Sequence, residues 1–385
     1  MTVTDDRVPI MTIFGTRPEA VKMAPVVARL KASRDFVPIV VVTAQHREML
    51  DQVLRLFAIT PDHDLDVMLP SQSLFDITTR VLARLDPILE EVRPAMVLVQ
   101  GDASSTFLGA LAAFYHRIPV GHVEAGLRTG DKYRPFPEEI NRRLTSSLAD
   151  LHFAPTAHAK ANLLREGIPA NRVLVSGNTV IDALLETAAR QDLALPSNLP
   201  SIDGQRLVLV TTHRRENWGE PLRQIYLALR DLLNRFPDVS LIFSVHPNPA
   251  VRRVAVEILE DHPRAHLIDP PDYGPWVRLM SDAYLILTDS GGIQEEAPAL
   301  GKPVLVLREV TERPEGVEAG TVEVVGVARD RIADRAGRLL ADPAAHARMA
   351  QARNPYGDGH AAARITDALR HWFGRSPALP AEFKP

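Results

Sequence analysis

The feature that most constrains the fold is a regular alternation of short apolar runs with longer amphipathic segments. In the first half, four runs are interpreted as buried strands, at 10–15, 37–43, 95–101 and 118–125. Helical patterns at 19–31 and 105–116 lie between them. The second half repeats the pattern, with predicted strands at 206–212, 239–245, 283–290 and 302–308. Strands that alternate with helices predict a parallel sheet covered on both faces. The sequence therefore predicts an α/β protein with two Rossmann-like, doubly wound domains.

The domain boundaries are predicted from chain length and from breaks in the pattern. A chain of 385 residues suggests two domains of ordinary size. A segment rich in Pro, Ser and Asp lies between the two halves, at 191–205. The hinge between the domains is expected slightly before it. We predict domains over 1–177 and 178–356, with a cleft between them. Ligands of such folds bind at the carboxyl ends of the strands.

Composition and charge exclude several classes of protein. Hydrophobic residues make up 45% and charged residues 24%, as in an ordinary soluble domain. A net charge of -4 gives no support to a nucleic-acid or anionic-membrane partner. The absence of cysteine excludes disulfides and thiolate metal sites. The sequence has neither a signal-peptide pattern nor an apolar run that spans a bilayer, so a cytoplasmic protein is expected.

The segment after the first predicted strand carries two basic residues. Thr16 and Glu19 have the spacing of a capping box, which explains why a helix starts there. Arg17 and Lys22 are not needed for that cap. They are interpreted either as anion ligands or as solvated surface residues.

Carboxylates follow the next predicted strands. Asp102 is either the N-cap of the following helix or, if Ser104 or Ser105 caps it, available for a ligand. Glu124 lies between Val and Ala at the end of a strand, and a buried carboxylate needs a partner. A functional role is favoured over a structural pair.

The charged stretch 134–143 begins a helix. Glu138 and Glu139 suit its positive end, and both have helical spacing to Arg142. This structural explanation is strong for Glu139 and weaker for Glu138.

The second half contains an anion-binding pattern. His213 lies at the end of a predicted strand, beside two arginines. At 287–292 a strand ends in Asp-Ser-Gly-Gly and a helix begins, so exposed N–H groups there can bind phosphate. One to two turns further on lie Glu295 and Glu296, where a carboxylate can hold ribose hydroxyls. The pattern predicts a nucleotide diphosphate site rather than a plain glycine turn, and it matches neither a P-loop nor a dinucleotide fingerprint.

Taken together, several stretches resemble one family closely, in its order and from Ile13 to about Phe373. They are "GTRPEAVKMAP", "TAQHREMLDQVL", "HVEAGLRTG", "PFPEEINR", "THRREN", "VHPNP" and "LTDSGGIQEEAPALGKPVLVLR". The family is the non-hydrolysing UDP-N-acetylglucosamine (UDP-GlcNAc) 2-epimerases. The resemblance implies a GT-B fold, with a UDP-binding C-terminal domain and a final helix, about 357–375, that crosses back to the first domain. It also implies a homodimer that interconverts UDP-GlcNAc and UDP-ManNAc without NAD or metal.

The resemblance also implies residue roles. It gives proton-handling roles to three carboxylates, Asp102, Glu124 and Glu138. It implies that the departing diphosphate is assisted by His213, Arg17 and Lys22. It gives substrate binding to Arg142, Ser290, Gly291, Gly292, Glu296, Arg313 and Trp276. The resemblance does not assign the carboxylates to the two faces of the sugar carbon C2.

One departure concerns activation by a second UDP-GlcNAc, which many members bind through a Gln-His-Arg loop. Gln45, His46 and Arg47 are present. Glu48 stands where a glutamine is common, and Ser71 where an arginine is common. We therefore expect weakened or absent activation.

Four other functions fit the same patterns. They are a GT-B glycosyltransferase, a hydrolysing epimerase, a nucleotide-sugar sensor, and a 2-epimerase of a modified UDP-sugar. The set of carboxylates argues against the transferase and the sensor.

Overall fold

The structure is a computed structural model that describes residues 6–44, 47–69, 72–193, 195, 199 and 204–385. The chain divides into two compact units. The first contains the described residues up to Ala183 together with Gly357–Lys384. The second contains Leu184–Tyr356 and the terminal Pro385.

The first unit is built on a parallel sheet of seven strands in the order β3-β2-β1-β4-β5-β6-β7. The strands are β1 (Val8–Phe14), β2 (Phe36–Val42), β3 (His63–Asp64), β4 (Met96–Gln100), β5 (Val120–Val123), β6 (Leu151–Ala154) and β7 (Val173–Val175). Strand order reverses between β1 and β4, which pair from Ile10↔Met96 to Ile13↔Val99. In open α/β sheets this reversal marks where ligands bind, at the carboxyl ends of the strands.

Helices connect these strands. They are α1 (Arg17–Ala32), α2 (Arg47–Leu56), α3 (Leu74–Val92), α4 (Ser104–Tyr115), α5 (Glu138–Leu148), α6 (Ala157–Arg165) and α7 (Thr179–Ala188). All five residues of β4 are buried, as expected for a strand covered by helices on both faces. The last helix of this group, α7, begins in the first unit and ends in the second.

The second unit repeats the architecture with six parallel strands in the order β10-β9-β8-β11-β12-β13. The strands are β8 (Arg206–Thr212), β9 (Val239–Val245), β10 (Ala265–Ile268), β11 (Leu285–Thr288), β12 (Val304–Val306) and β13 (Val322–Val324). The helices are α8 (Glu220–Arg235), α9 (Pro249–Leu259), α10 (Tyr273–Asp282), α11 (Gly291–Ala299), α12 (Pro314–Glu318), α13 (Arg329–Ala341) and α14 (Pro343–Ala350). Strand order reverses here between β8 and β11, which pair from Leu285↔Val208 to Thr288↔Thr211.

Two parallel sheets with helices between their strands confirm the predicted α/β class of two Rossmann-like domains. All eight predicted strands are present, although β11 and β12 are shorter than their apolar runs. The sequence interpretation missed five short strands, β3, β6, β7, β10 and β13, because none of them lies in a long uninterrupted apolar run. None of the helices in the described ranges is long and apolar enough to cross a membrane.

The C-terminal segment belongs to the first unit. Helix α15 (Ala361–Trp372) packs against α1, and the chain then runs to β7, an outermost strand of the seven-stranded sheet. There the Phe383 N–H donates to the Val175 carbonyl at 2.8 Å, and the Val175 N–H donates to Glu382 Oε1 at 3.1 Å. The tail thus hydrogen-bonds backbone groups that an exposed sheet edge leaves without partners.

Candidate active site

The predicted residues of the first unit lie where strands end beside the reversal in strand order. β1 ends at Phe14, just before Arg17 of α1. β4 ends at Gln100 and β5 at Val123, so Asp102 and Glu124 follow the ends of neighbouring strands. The carboxyl ends of parallel strands meet at one edge of the sheet, which brings these side chains together.

Glu124 is the most tightly held of the predicted carboxylates. Its backbone has φ +62°, in the left-handed region that residues other than glycine seldom adopt, and only 8% of the residue is exposed. The Lys22 ammonium lies 2.6 Å from Oε1 and 2.7 Å from Oε2. Asn178 Nδ2 donates to Oε1 at 2.9 Å, and Gln100 Nε2 donates to Oε2. Glu124 is therefore held as a paired anion by one cation and two neutral amides.

Asp102 does not cap the next helix, and neither does a serine side chain. The N-cap of α4 is Ala103, which makes no side-chain cap hydrogen bond. The Asp102 carboxylate instead accepts from Arg142 Nη2 at 2.6 Å and from Arg142 Nε at 2.9 Å. The Asn141 amide donates to the Asp102 carbonyl at 2.9 Å. These contacts join the end of β4 to α5.

The two neighbouring glutamates of α5 differ in their contacts. Glu139 is fully buried and accepts from Arg142 at 3.0 Å and from the N–H of Thr129 at 3.1 Å. Its charge is therefore explained by structure. Glu138 Oε2 is buried and has no hydrogen-bond partner among the described residues. Such an atom is costly unless a ligand or a water contacts it, so Glu138 faces an incomplete polar environment.

The basic residues of α1 are arranged differently from each other. Arg17 is exposed in the first turn of the helix. Lys22 is one-fifth exposed at its side chain and makes the ion pair with Glu124. Glu19 is buried, accepts from the N–H groups of Gly15 and Thr16, and completes the predicted capping box. Burial raises the pKa of Glu19.

In the second unit the predicted His213 follows β8 and lies against a buried aspartate. Asp289, which follows β11, accepts from the backbone N–H of His213 at 3.0 Å and from that of Arg214 at 3.0 Å. Asn217 Nδ2 donates to Asp289 at 3.1 Å, and His213 Nδ1 lies 3.2 Å from Asp289 Oδ1. Burial lowers the pKa of His213, although Asp289 opposes this shift. A proton on Nδ1 would face this carboxylate and would leave Nε2 for another partner.

The predicted phosphate-binding turn forms the start of α11. Ser290 is the N-cap, and Gly291 and Gly292 are the first two helical residues. A Cβ atom on Gly291 would lie 3.2 Å from Glu312 Oε1 and 3.6 Å from Arg214 Nη2. Only glycine therefore lets the backbone keep this close approach without a shift of the neighbours. The first N–H groups of the helix have no partner within it, as a phosphate site requires.

Three predicted residues lie around the rest of α11. Arg313 pairs with Glu295, the neighbour of the Glu296 to which the resemblance gives substrate binding. Glu296 contacts the buried hydroxyl of Tyr273, and burial followed by the Glu296 charge raises the pKa of Tyr273. Trp276 is half-buried on α10, where it packs against the core of the second unit.

The sequence interpretation missed four residues that hold predicted ones. They are Gln100 and Asn178 beside Glu124, Asp289 beside His213, and Tyr273 beside Glu296. Gln100 and Asp289 stand at the ends of apolar runs, "VLVQG" and "LILTDS", and that position is the signal that could have identified them. Asn178 follows the three-residue β7, so no long run pointed to it.

The residues predicted to bind an activating nucleotide fall largely outside the described residues. Gln45, His46 and Ser71 are among them. Arg47 is the first residue of α2, and its side chain, like that of Glu48, is not described. Within the described ranges, no group of three or more His, Asp or Glu side chains is placed to hold a metal ion.

A buried histidine beside the site gives a prediction about pH. His122 Nε2 lies 2.8 Å from the Gly101 carbonyl, and burial lowers the His122 pKa to about 3. Between pH 6.5 and 3 the unfolded chain therefore binds a proton that the folded protein does not. This contribution to stability is complete above about pH 6.5 and is lost as the pH falls.

We expect the free energy of unfolding of the wild type to fall by about 2–3 kcal/mol more than that of His122→Gln between pH 7 and pH 4.5. Urea denaturation at the two pH values measures this difference. The exposed His158→Gln is the control and should keep the wild-type pH dependence. Equal losses in wild type and His122→Gln would contradict the assignment of this acid sensitivity to His122.

Two Rossmann-like units, one with clustered carboxylates and one with a glycine turn at a helix start, define a protein of the GT-B class. The family model for UDP-N-acetylglucosamine 2-epimerase matches residues 28–370. The chain is 51% identical to the UDP-N-acetylglucosamine 2-epimerase of Bacillus subtilis over 374 residues, which is 97% of this chain and 98% of that protein. It therefore belongs to the non-hydrolysing UDP-N-acetylglucosamine 2-epimerase family and is an enzyme of that family.

Solved structures agree with this assignment. The Neisseria meningitidis UDP-GlcNAc 2-epimerase, solved bound to UDP-GlcNAc, is 48% identical with a TM-score of 0.85 over 94% of this chain and all of that one. The Methanocaldococcus jannaschii enzyme, solved in complex with UDP-GlcNAc and UDP, is 31% identical with a TM-score of 0.76 over 94% of this chain and all of that one.

Proposed function

We propose that the protein catalyses the reversible C2 epimerisation of UDP-GlcNAc to UDP-ManNAc. The observation that carries the proposal is the set of three carboxylates, Asp102, Glu124 and Glu138, at the strand ends and helix start of the first unit. Inversion at a carbon that bears hydrogen needs proton transfer on both faces of the ring, and one carboxylate cannot reach both. The matched relatives supply the substrate class, because two of them were solved with UDP-GlcNAc or with UDP-GlcNAc and UDP.

The proposed reaction has two halves. A carboxylate takes the C2 proton while the bond from C1 to the UDP oxygen breaks, which leaves 2-acetamidoglucal and UDP. A second group then delivers a proton to the opposite face of C2, and the UDP oxygen re-forms its bond to C1. No electrons are gained or lost overall, so the steps need no redox cofactor.

In this proposal the residues of the first unit act on the sugar. Asp102, Glu124 and Glu138 transfer protons, and Arg142 supports the sugar through its contact with Asp102. The buried Oε2 of Glu138 needs a partner, which a sugar hydroxyl or the reacting carbon's proton would supply.

The nucleotide is proposed to bind through the start of α11, with the diphosphate on the N–H groups of Gly291 and Gly292 and on the Ser290 hydroxyl. Glu296, held by Tyr273, binds the ribose, and Arg313 and Trp276 complete this part of the site. His213, Arg17 and Lys22 meet the charge that develops on the leaving diphosphate.

Product analysis tests the proposal directly. The purified protein is incubated with UDP-GlcNAc in water without added cofactor, and the sugars are followed by proton NMR. UDP-ManNAc is the expected product. Free ManNAc with UDP would indicate a hydrolysing epimerase, and no turnover at all would contradict the proposal. In that case a modified UDP-sugar would be tried next, and after it a glycosyltransferase reaction with an acceptor.

We also propose that activation by a second UDP-GlcNAc is weak or absent, because Glu48 and Ser71 replace groups that could hold it. Initial rates should then rise hyperbolically with UDP-GlcNAc, and UDP-ManNAc should turn over without added UDP-GlcNAc. A sigmoidal curve, or a strict need for added UDP-GlcNAc, would contradict this prediction.

A homodimer is proposed as the working form. Helices α3, α4 and α5 pack side by side, and they leave large apolar side chains exposed. Phe75 is 85%, Tyr115 68% and Phe114 54% exposed, which favours a partner surface over solvent. Sedimentation of a single monomeric species at micromolar concentration would contradict it. A cytoplasmic location and a supply of ManNAc-type sugars to surface polysaccharide stay predictions.

A further inference from the structure

The carboxylate of Glu124 receives hydrogen bonds from side chains that come from three separate parts of the first unit. Lys22 comes from α1, Gln100 from the last position of β4, and Asn178 from the residue before α7. Gln100 and Asn178 are each 2% exposed, so solvent does not compete for their amides. Two neutral buried amides beside one carboxylate are not needed to neutralise its charge, because the Lys22 ammonium already does so.

The orientation of the Asn178 amide is fixed by its second contact. Asn178 Oδ1 accepts from the Val180 N–H at 3.2 Å, at the start of α7. The NH₂ group must therefore face Glu124, and a flipped amide would lose both contacts. Asn178 thus acts as a fixed donor.

The three donors differ in how freely they can move. The Lys22 side chain is long and one-fifth exposed, whereas both amides are buried. When Glu124 takes up a proton, the new O–H needs an acceptor, and an NH₂ group facing it cannot serve. The lysine is the donor that can withdraw, and the amides keep the carboxylate in place while it does.

The two amides also help to maintain the backbone conformation of Glu124. Its left-handed φ of +62° is unfavourable for a residue with a Cβ, so surrounding contacts must maintain it. The amide contacts to Glu124 join residues 24 and 54 positions apart in the chain. They fix the end of β5 against the ends of β4 and β7.

We infer that Gln100 and Asn178 are positioning residues for the epimerisation, which hold the Glu124 carboxylate ionised and oriented toward the reacting carbon. This inference rests on the proposed function. The two residues do not themselves touch the substrate in this account.

Asn178→Asp is the most direct test, because it keeps the shape of the side chain and replaces the donor with a second carboxylate. Two adjacent carboxylates share a proton, so the pair ionises at higher pH than one carboxylate alone. We expect the acid limb of the kcat/KM profile to move up by about one to two pH units. We also expect kcat at pH 7 to fall by about 10–100-fold. The Kd for UDP should stay within about twofold, because the variant replaces none of the residues proposed to bind the nucleotide.

Asn162→Asp is the matched control. Asn162 is 6% exposed in the same unit, and its Nδ2 donates to the Gly126 carbonyl at 2.9 Å rather than to a carboxylate. It should cost stability as Asn178→Asp does, but it should leave the acid limb where the wild type has it. Gln100→Glu supplies the same test at the other oxygen of Glu124 if Asn178→Asp does not fold.

The possible results distinguish a failure of the positioning roles from a failure of the proposed epimerase function. Wild-type epimerisation with an unmoved acid limb in a folded Asn178→Asp or Gln100→Glu overturns the positioning roles. A shift in Asn162→Asp as large as in Asn178→Asp also overturns them, because the effect would then be a general response to a buried charge. A wild type that does not epimerise UDP-GlcNAc at any pH overturns the proposed function itself.

Discussion

Replacing Glu124 with glutamine is expected to lower kcat for epimerisation by about 10²–10⁴-fold, the usual worth of a general acid or base. Glutamine has nearly the same shape as glutamate but cannot take a proton from carbon. Its NH₂ group would also face Lys22 or one of the amides that donate to Glu124. Both effects act on the proton-transfer step, so the loss should appear in kcat rather than in the affinity for UDP.

Glu166→Gln provides the control for this variant. Glu166 is a partly exposed glutamate of the first unit that pairs with Arg128, 2.7 Å away. Its replacement removes an ion pair but no group proposed to act on the sugar, so kcat should stay within about threefold of wild type. A Glu124→Gln protein that is folded, binds UDP normally and retains more than a tenth of wild-type kcat would remove Glu124 from the proton-transfer set.

Replacing Asp289 with alanine is expected to lower the free energy of unfolding by about 3–5 kcal/mol, as for loss of one member of a buried charged network. Asp289 is fully buried and accepts from two backbone N–H groups, and Asn217 also donates to it. Alanine would leave the two partly buried backbone N–H groups without this acceptor, and Asn217 Nδ2 would keep only the Leu307 carbonyl.

The milder Asp289→Asn should affect catalysis more than stability. Asparagine keeps one oxygen for the backbone donors, but its charge no longer supports a proton on Nδ1 of His213, 3.2 Å away. We expect kcat/KM to fall by about 10²–10⁴-fold, because the imidazole loses the group that fixes its tautomer.

Asp282→Asn is the matched control for both Asp289 variants. Asp282 pairs with Arg278 at 2.8 Å on the surface of the same unit, where ion pairs contribute little. Chemical denaturation and steady-state kinetics measure the two effects. If Asp289→Asn matches Asp282→Asn in kcat/KM, Asp289 has no role in orienting His213.

The sequence predicted the fold well because long apolar runs mark buried parallel strands. β4, β8 and β9 were identified nearly to the residue, since each run ends at a polar residue or a glycine. The missed strands β6 and β7 have four and three residues, too few for a run to stand out from the helices beside them. Their place in the sheet comes from pairing across the chain, which local pattern does not encode.

The sequence indicated which residues lie at the site, but it did not indicate which residues they contact. Asp102 and Glu124 were recognisable because they end apolar runs, and Ser290 and Gly291 because a helix follows them. That Asp102 pairs with Arg142, 40 residues away, and does not cap α4 depends on how β4 and α5 are brought together. The amide donors to Glu124 were missed for the same reason, since Asn178 lies far along the chain and only folding makes them neighbours.

We propose above that a carboxylate of the first unit removes the C2 proton of UDP-GlcNAc. Incubation of the wild type with UDP-GlcNAc in deuterium oxide, followed by proton NMR of the H2 signal, tests it most directly. We expect UDP-ManNAc with deuterium at C2, formed without added cofactor, and exchange about 10²–10⁴-fold slower with Glu124→Gln. UDP-ManNAc that retains its original hydrogen at C2 would contradict removal of this proton by one group and delivery of a new proton by a second group.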